Sequence, residues 1–198
     1  MRNKIYILLI LPLLLSYHNI MAQNDSVSLL VDSIELENFS LKALDKVRDF
    51  GDYIKLISKK TTPWQDSNKA INMACGLFIG ESSIIEVTSV TNKNVPRKYR
   101  IREYLTNLKL LKYEEINIQW DSISYMSSIK KAPDGNYYGV ITVRQIFEGK
   151  SKESIYRDVT VKDIEIVLKT YDMKVDGETK LFLDVFLSDI KVTSTNEF

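Results

Sequence analysis

From residue 40 onward, apolar residues recur at steps of three and four. Leu41, Leu44, Val47, Phe50, Ile54 and Ile57 fall on one stripe and predict an amphipathic helix, with Ser40 as its N-cap. Gly51 costs that helix about 1 kcal/mol relative to Ala without forbidding it. Thr61-Thr62-Pro63 ends it. A second helix is predicted from Asp66 or Ser67, with Ala70, Ile71, Ala74, Leu77 and Phe78 as its stripe and Gly80 as its stop. Ile84 to Thr91 is rich in β-branched residues and predicts a short strand. Asn94 as a cap, with Pro96 in the first turn, predicts a third helix carrying Tyr99, Ile101, Tyr104, Leu105 and Leu108.

After Tyr113 the periodicity changes from helical to alternating. Strands are predicted over Ile116–Ile129, Tyr137–Phe147, Ile155–Tyr171 and Leu181–Val192. Pro133-Asp134-Gly135-Asn136, Glu148-Gly149-Lys150-Ser151-Lys152 and Asp176-Gly177 separate them as turns. Four strands, each longer than the usual five or six residues, with short links, predict an antiparallel meander that must twist. The apolar parity slips between Trp120 and Ile123 and between Leu187 and Ile190, which predicts β-bulges that curve the sheet. The expected fold class is therefore α+β. N-terminal helices pack on a strongly curved antiparallel sheet of four long strands plus one short strand.

The N-terminus carries a different pattern. Arg2 and Lys4 precede an apolar run, Ile5 to Leu15, followed by polar residues and Ile20-Met21-Ala22. A basic head, a short apolar stretch and a small residue predict a secretory signal peptide over residues 1–22, cut after Ala22. The run is shorter than the roughly 20 residues a spanning helix needs. Residues 23–39 read as a polar leader and 40–195 as the folded domain. No transmembrane anchor is expected after cleavage, and the setting would be the periplasm or cell surface of a Gram-negative bacterium.

Composition narrows the chemistry. The 198 residues are 44% hydrophobic and 27% charged with net charge +1, which suits one globular domain and gives no footprint for nucleic acid. The one His, at position 18, lies in the predicted signal peptide, so the mature chain has none. The one Cys, Cys75, sits in an apolar helical stretch and reads as a small buried hydrophobe. No cysteine-based metal cage and no internal disulfide can form, and no cofactor is expected. Gly76-Leu77-Phe78-Ile79-Gly80 lacks the spacing of a phosphate loop.

The order of elements resembles the nuclear transport factor 2-like superfamily, the cystatin-like α+β cone. The resemblance is carried by the helical run Leu41 to Phe78, the strand at Ile84-Ile85-Glu86-Val87 and the helix with Glu103-Tyr104-Leu105. The turn Asp134-Gly135-Asn136-Tyr137-Tyr138-Gly139 and the last strand Asp184 to Ile190 complete it. The stretch from Tyr104 to Val192 is also similar to an uncharacterised exported domain of Bacteroidetes. The resemblance covers roughly 150 residues and implies a pocket between helices and sheet, without implying one activity. Enzymes of this superfamily use an Asp, or an Asp/His pair, inside the cone. With no His in the mature chain, an Asp base alone is implied, with Asp121, Asp158 and Asp184 as the strand carboxylates to consider.

Arg144, Asp158 and Lys162, with Tyr125 and Tyr138 brought near by hairpin pairing, form the strongest polar cluster on the predicted strands. It can be a polar floor in an apolar pocket or a set of cross-strand ion pairs on an exposed face. The basic stretch Arg97, Lys98, Arg100, Arg102, with Lys109 and Lys112, reads as a solvated helix face or an anion-facing one. Two functions follow. The first is an exported, non-catalytic binding or interaction domain for an unknown protein or small-molecule ligand, with a homodimer through the sheet face. The second is a small-molecule-binding or isomerase/lyase-type cone with a buried Asp as general base. They separate on whether Asp121, Asp158 or Asp184 points into a cavity.

Overall fold

In the computed structural model, the described residues are 33–197, without Asn94 and without the side chain of Tyr125. The predicted signal peptide and most of the leader lie outside them. The elements are α1 (Ser33–Ser58), α2 (Trp64–Cys75), β1 (Ile84–Val87), a 3-10 turn (Val90–Asn92), β2 (Arg97–Arg100), α3 (Ile101–Leu110), β3 (Glu115–Met126), β4 (Lys130–Lys131), β5 (Tyr137–Lys150), β6 (Ile155–Val175) and β7 (Glu178–Glu197). The fold is α+β, with the helices on a curved, mostly antiparallel sheet. No helix among the described residues is long and apolar enough to cross a membrane.

Helix α1 starts seven residues before the cap expected at Ser40. Leu36 and Phe39 extend the apolar stripe toward the N-terminus and pack against the core. Ser40 is an interior residue whose hydroxyl donates back to the Leu36 carbonyl (2.8 Å). Val47, Phe50, Ile54 and Ile57 are buried as predicted, whereas Leu41 points to solvent. Helix α2 also starts earlier than Asp66, directly after Pro63. Its C-terminal end runs into the sheet: Ile79 donates to the Leu187 carbonyl and Leu187 donates to that of Leu77. Cys75 is buried.

The strand order is β2-β1-β7-β6-β5-β3, with β4 pairing beside β5. β3, β5, β6 and β7 form the predicted antiparallel meander. β1 joins β7 in parallel at Ile85 and Ile190, where side chains complete the ladder. Ile84 donates to the Asp189 carboxylate and Val192 to that of Glu86. The register slips between Trp120 and Ser122 and between Ile123 and Tyr125 on β3. On β7, Leu187 and Ile190 face Ile166 and Ile164, so one extra residue bulges there. Asp176 and Gly177, at φ 54° and 84°, close the β6–β7 hairpin in the left-handed region that a two-residue turn requires. β5 ends opposite Leu168, and β6 and β7 continue beyond it as a two-stranded arm.

One predicted helix segment is a strand. Arg97 to Arg100 pairs with β1, setting Tyr99 opposite Ile85 and Lys98 opposite Glu86 (3.4 Å). Cross-strand pairing there outweighs the helical pattern, and α3 begins only at Ile101. The basic stretch is therefore split between an edge strand and Arg102, which makes a bidentate pair with Glu81 and bonds Asn72. The second predicted turn also shifts: β5 runs through Gly149 to Lys150. A side chain on Gly149 would meet the Tyr113 ring at 2.8 Å, so the glycine lets that ring lie on the strand.

Phe50 centres the core, edge-on to Phe78 (4.9 Å) and to Trp120 (5.4 Å). Gly51 faces the Trp120 ring across this contact. At the far end of α3, Lys109 is buried and donates to the Lys59 and Thr62 carbonyls (3.0 and 2.8 Å). Lys60 reaches back to the carbonyls of Lys109 and Leu111. Lys109→Met strands two carbonyls and should destabilise the fold by about 2 kcal/mol, read as a lower urea midpoint at unchanged slope.

Candidate functional site

Long strands alternate their side chains across the sheet, so residue parity decides what enters the hollow. On β6 the even residues Asp158, Thr160, Lys162, Ile164 and Ile166 are buried. On β5 the odd residues Ile141, Val143 and Gln145 join them. Toward the β1 end of the molecule this inner face is polar rather than apolar. There α3, the end of β1 and the 3-10 turn stand over it without filling the space. The result is a half-open cavity of about 560 Å³.

The floor carries Asp158, Thr160 and Lys162 on β6 and Gln145 on β5, opposite Thr160. Tyr104 and Leu108 of α3 form the roof. Tyr113, Phe147 and Tyr156 make a row of edge-to-face rings along one wall (5.8 and 5.9 Å). Arg97 and Asn107 stand at the rim.

Asp158, 5% exposed, accepts from the Tyr156 hydroxyl at 2.7 Å and more weakly from Thr160 at 3.4 Å. The Tyr156 oxygen in turn accepts from the Val90 N–H (3.0 Å), which ties the 3-10 turn to the floor. A hydroxyl contact between Thr88 and Thr195 does the same further along. Burial pushes the Asp158 carboxyl above its usual range, while Tyr156, Lys162 and Thr160 pull it back. Burial also pushes the Tyr156 phenol up to about 12.

Lys162, 3% exposed, makes no hydrogen bond or close ion pair among the described residues. Its ammonium lies 5.7 Å from the centre of the Tyr104 ring. Burial pulls it down to about 8, with the Asp158 charge opposing. The Gln145 Oε1 is buried without a partner. A buried carboxyl with a raised pKa and a hydrogen-bonded phenol can hold or move a proton; an unpaired buried ammonium can seat an anion. Among the described residues no three His, Cys, Asp or Glu side chains converge to hold a metal ion.

The sequence-predicted cluster is divided by the sheet. Asp158 and Lys162 lie in the cavity, whereas Arg144 and Tyr138 have the opposite parity on β5 and face the outer side. Arg144 pairs with Asp121 there, and Tyr138 donates to Asp134 (2.8 Å). The register sets Arg144 opposite Val161 and Tyr138 opposite Val167, on the face away from Asp158 and Lys162, and a one-residue change is enough to move a side chain from one face to the other. Asp121 is the extra residue of a bulge, which turns it outward. Asp184 is held by Lys42 (2.7 Å) and Lys46 (3.2 Å) of α1, away from the cavity. The side chain of Tyr125 lies outside the description. Gln145, Tyr156 and Tyr104 were not singled out as site residues; once Asp158 and Lys162 are placed, the β5–β6 register identifies Gln145.

No protein-family profile and no curated protein matches the chain. Among solved structures, the chain is similar to a protein of Novosphingobium aromaticivorans DSM 12444, provisionally named a scytalone dehydratase. That likeness has 9% identity and a TM-score of 0.41 over 83% of this chain and 91% of the other. The fold class rests on the element order and strand pairing described above.

The lysine makes a pH test. Between about 8 and its unfolded value of 10.5, the unfolded chain still holds a proton that folded Lys162 has released. Stability attributable to this group therefore rises with pH across that window. Urea denaturation of the wild type and Lys162→Met at pH 8 and pH 10 should show the wild type gaining on the variant at the higher pH.

Proposed function

We propose that the protein is a small-molecule-binding α+β cone whose ligand occupies the cavity under α3. The observation that carries this reading is the set of buried polar groups on the cavity floor, Asp158, Lys162 and Gln145, with Lys162 Nζ and Gln145 Oε1 lacking hydrogen-bond partners among the described residues, beside aromatic walls. A volume of about 560 Å³ falls within the roughly 300–1,000 Å³ of small-molecule sites. Few convergent polar groups in an otherwise apolar recess fix a ligand's orientation. The arrangement of helices over a bent sheet agrees with the nuclear transport factor 2-like resemblance, whose members use such a hollow. The signal-like N-terminus supports placing this binder outside the cytoplasm.

Asp158 is the one carboxylate lining the cavity among the described residues. It is the general base a lyase or isomerase would use, but both of its oxygens already accept, from Tyr156 and Thr160. Binding is accordingly the primary function and proton transfer the second reading.

An uncharged, environment-sensitive dye, N-phenyl-1-naphthylamine, tests the cavity directly. It should bind the full chain at one site with a fluorescence increase. Thr160→Phe, which projects a ring from the floor, should weaken it by about tenfold or more while the circular dichroism stays native. Undiminished binding in that variant would put the dye elsewhere and remove the reading.

A further inference from the structure

We infer that the cavity takes an aromatic hydroxy acid, its carboxylate seated on Lys162 Nζ and its hydroxyl on the Gln145 amide. The inference rests on the reading of the cavity as a ligand site and adds the class of ligand.

Three observations carry it. The first is charge. Asp158 is the single carboxylate on the cavity wall among the described residues, against two cations, Lys162 and Arg97. Both Asp158 oxygens already accept hydrogen bonds, and Lys162 is near it without closing an ion pair. A buried ammonium left in this state is costly unless something anionic completes it. Even pulled down to about 8, it remains mostly protonated at neutral pH.

The second is the orphan amide. Gln145 is 7% exposed and its buried Oε1 has no donor among the described residues. An unsatisfied buried acceptor is a standing cost that a ligand O–H removes. The β5–β6 register fixes how far apart their backbone positions stand. Gln145 is opposite Thr160, and Lys162 is two residues further along β6 on the same face. They are diagonal neighbours, about 7–8 Å apart at the backbone. A benzene ring with substituents at opposite ends matches such a span.

The third is shape. The rings of Tyr104, Tyr113, Phe147 and Tyr156 line the cavity. Flat aromatic guests are favoured against such walls through offset and edge-to-face contacts. An acyclic diacid would satisfy Lys162 and leave the rings and Gln145 without partners.

The test is competition against bound N-phenyl-1-naphthylamine on the full chain, using 4-hydroxybenzoate, benzoate and the methyl ester of 4-hydroxybenzoate. The hydroxy acid should displace the dye at the lowest concentration. Loss of the hydroxyl or of the charge should each weaken competition by about tenfold. In Lys162→Met the preference for acid over ester should vanish while dye binding persists. In Gln145→Leu the preference for hydroxybenzoate over benzoate should vanish and the acid–ester preference should remain. Lys162→Gln, which keeps a polar head, serves as the second variant if Met does not fold, with the same expectation.

An ester that competes as well as the acid in the wild type, or an acid preference that survives loss of Lys162, overturns the assignment. With dye binding intact, either result leaves the cavity reading standing. A dye that does not bind the wild type at all removes both together.

Discussion

Strands of 20 and 21 residues twist as they pair, and a flat sheet of that length would give α1 and α3 no common surface to cover. Bending is therefore the condition for everything else in the molecule. The extra residues at Asp121 and Ser124 on β3, and those on β7, supply it where the helices need it. Phe50, Phe78 and Trp120 fill one end of the resulting hollow. Under α3 the same curvature outruns the side chains available, and a cavity remains.

Much of this was legible before any coordinates. Steps of three and four marked the buried faces of α1 and α2, and slips of parity at Trp120–Ile123 and Leu187–Ile190 marked bulges that the pairing contains. The less legible parts have physical causes. Arg97 to Arg100 has residues acceptable to a helix, and only the partner strand, distant by about a dozen positions, makes it β. The start of α1 was obscured because Ser40, a good cap by type, sits inside the helix and satisfies its hydroxyl on Leu36.

The site was half visible for a related reason. Asp158 and Lys162 share parity on one strand, so their common face is local information. Which residues of β5 join them depends on register, and register depends on where the turn begins. The Glu148–Lys152 turn falls later than composition suggests, because Gly149 stays in the strand to make room for Tyr113. Arg144 and Gln145 are adjacent in the chain, yet that detail sends one to the outer face and the other to the floor. The polar floor works against stability, since an apolar row at 158, 160 and 162 would pack the hollow. Proteins commonly carry such a cost where a function depends on it.

The roof over that floor is riveted at both ends. Arg102 locks the start of α3 to Glu81 and Asn72, and the interlocked lysines 60 and 109 fasten its end to the loop joining the first two helices. A helix held in this manner does not hinge. Beneath it, the Val90–Tyr156–Asp158 chain of hydrogen bonds pins the 3-10 turn to the floor, so both walls of the recess are held in place.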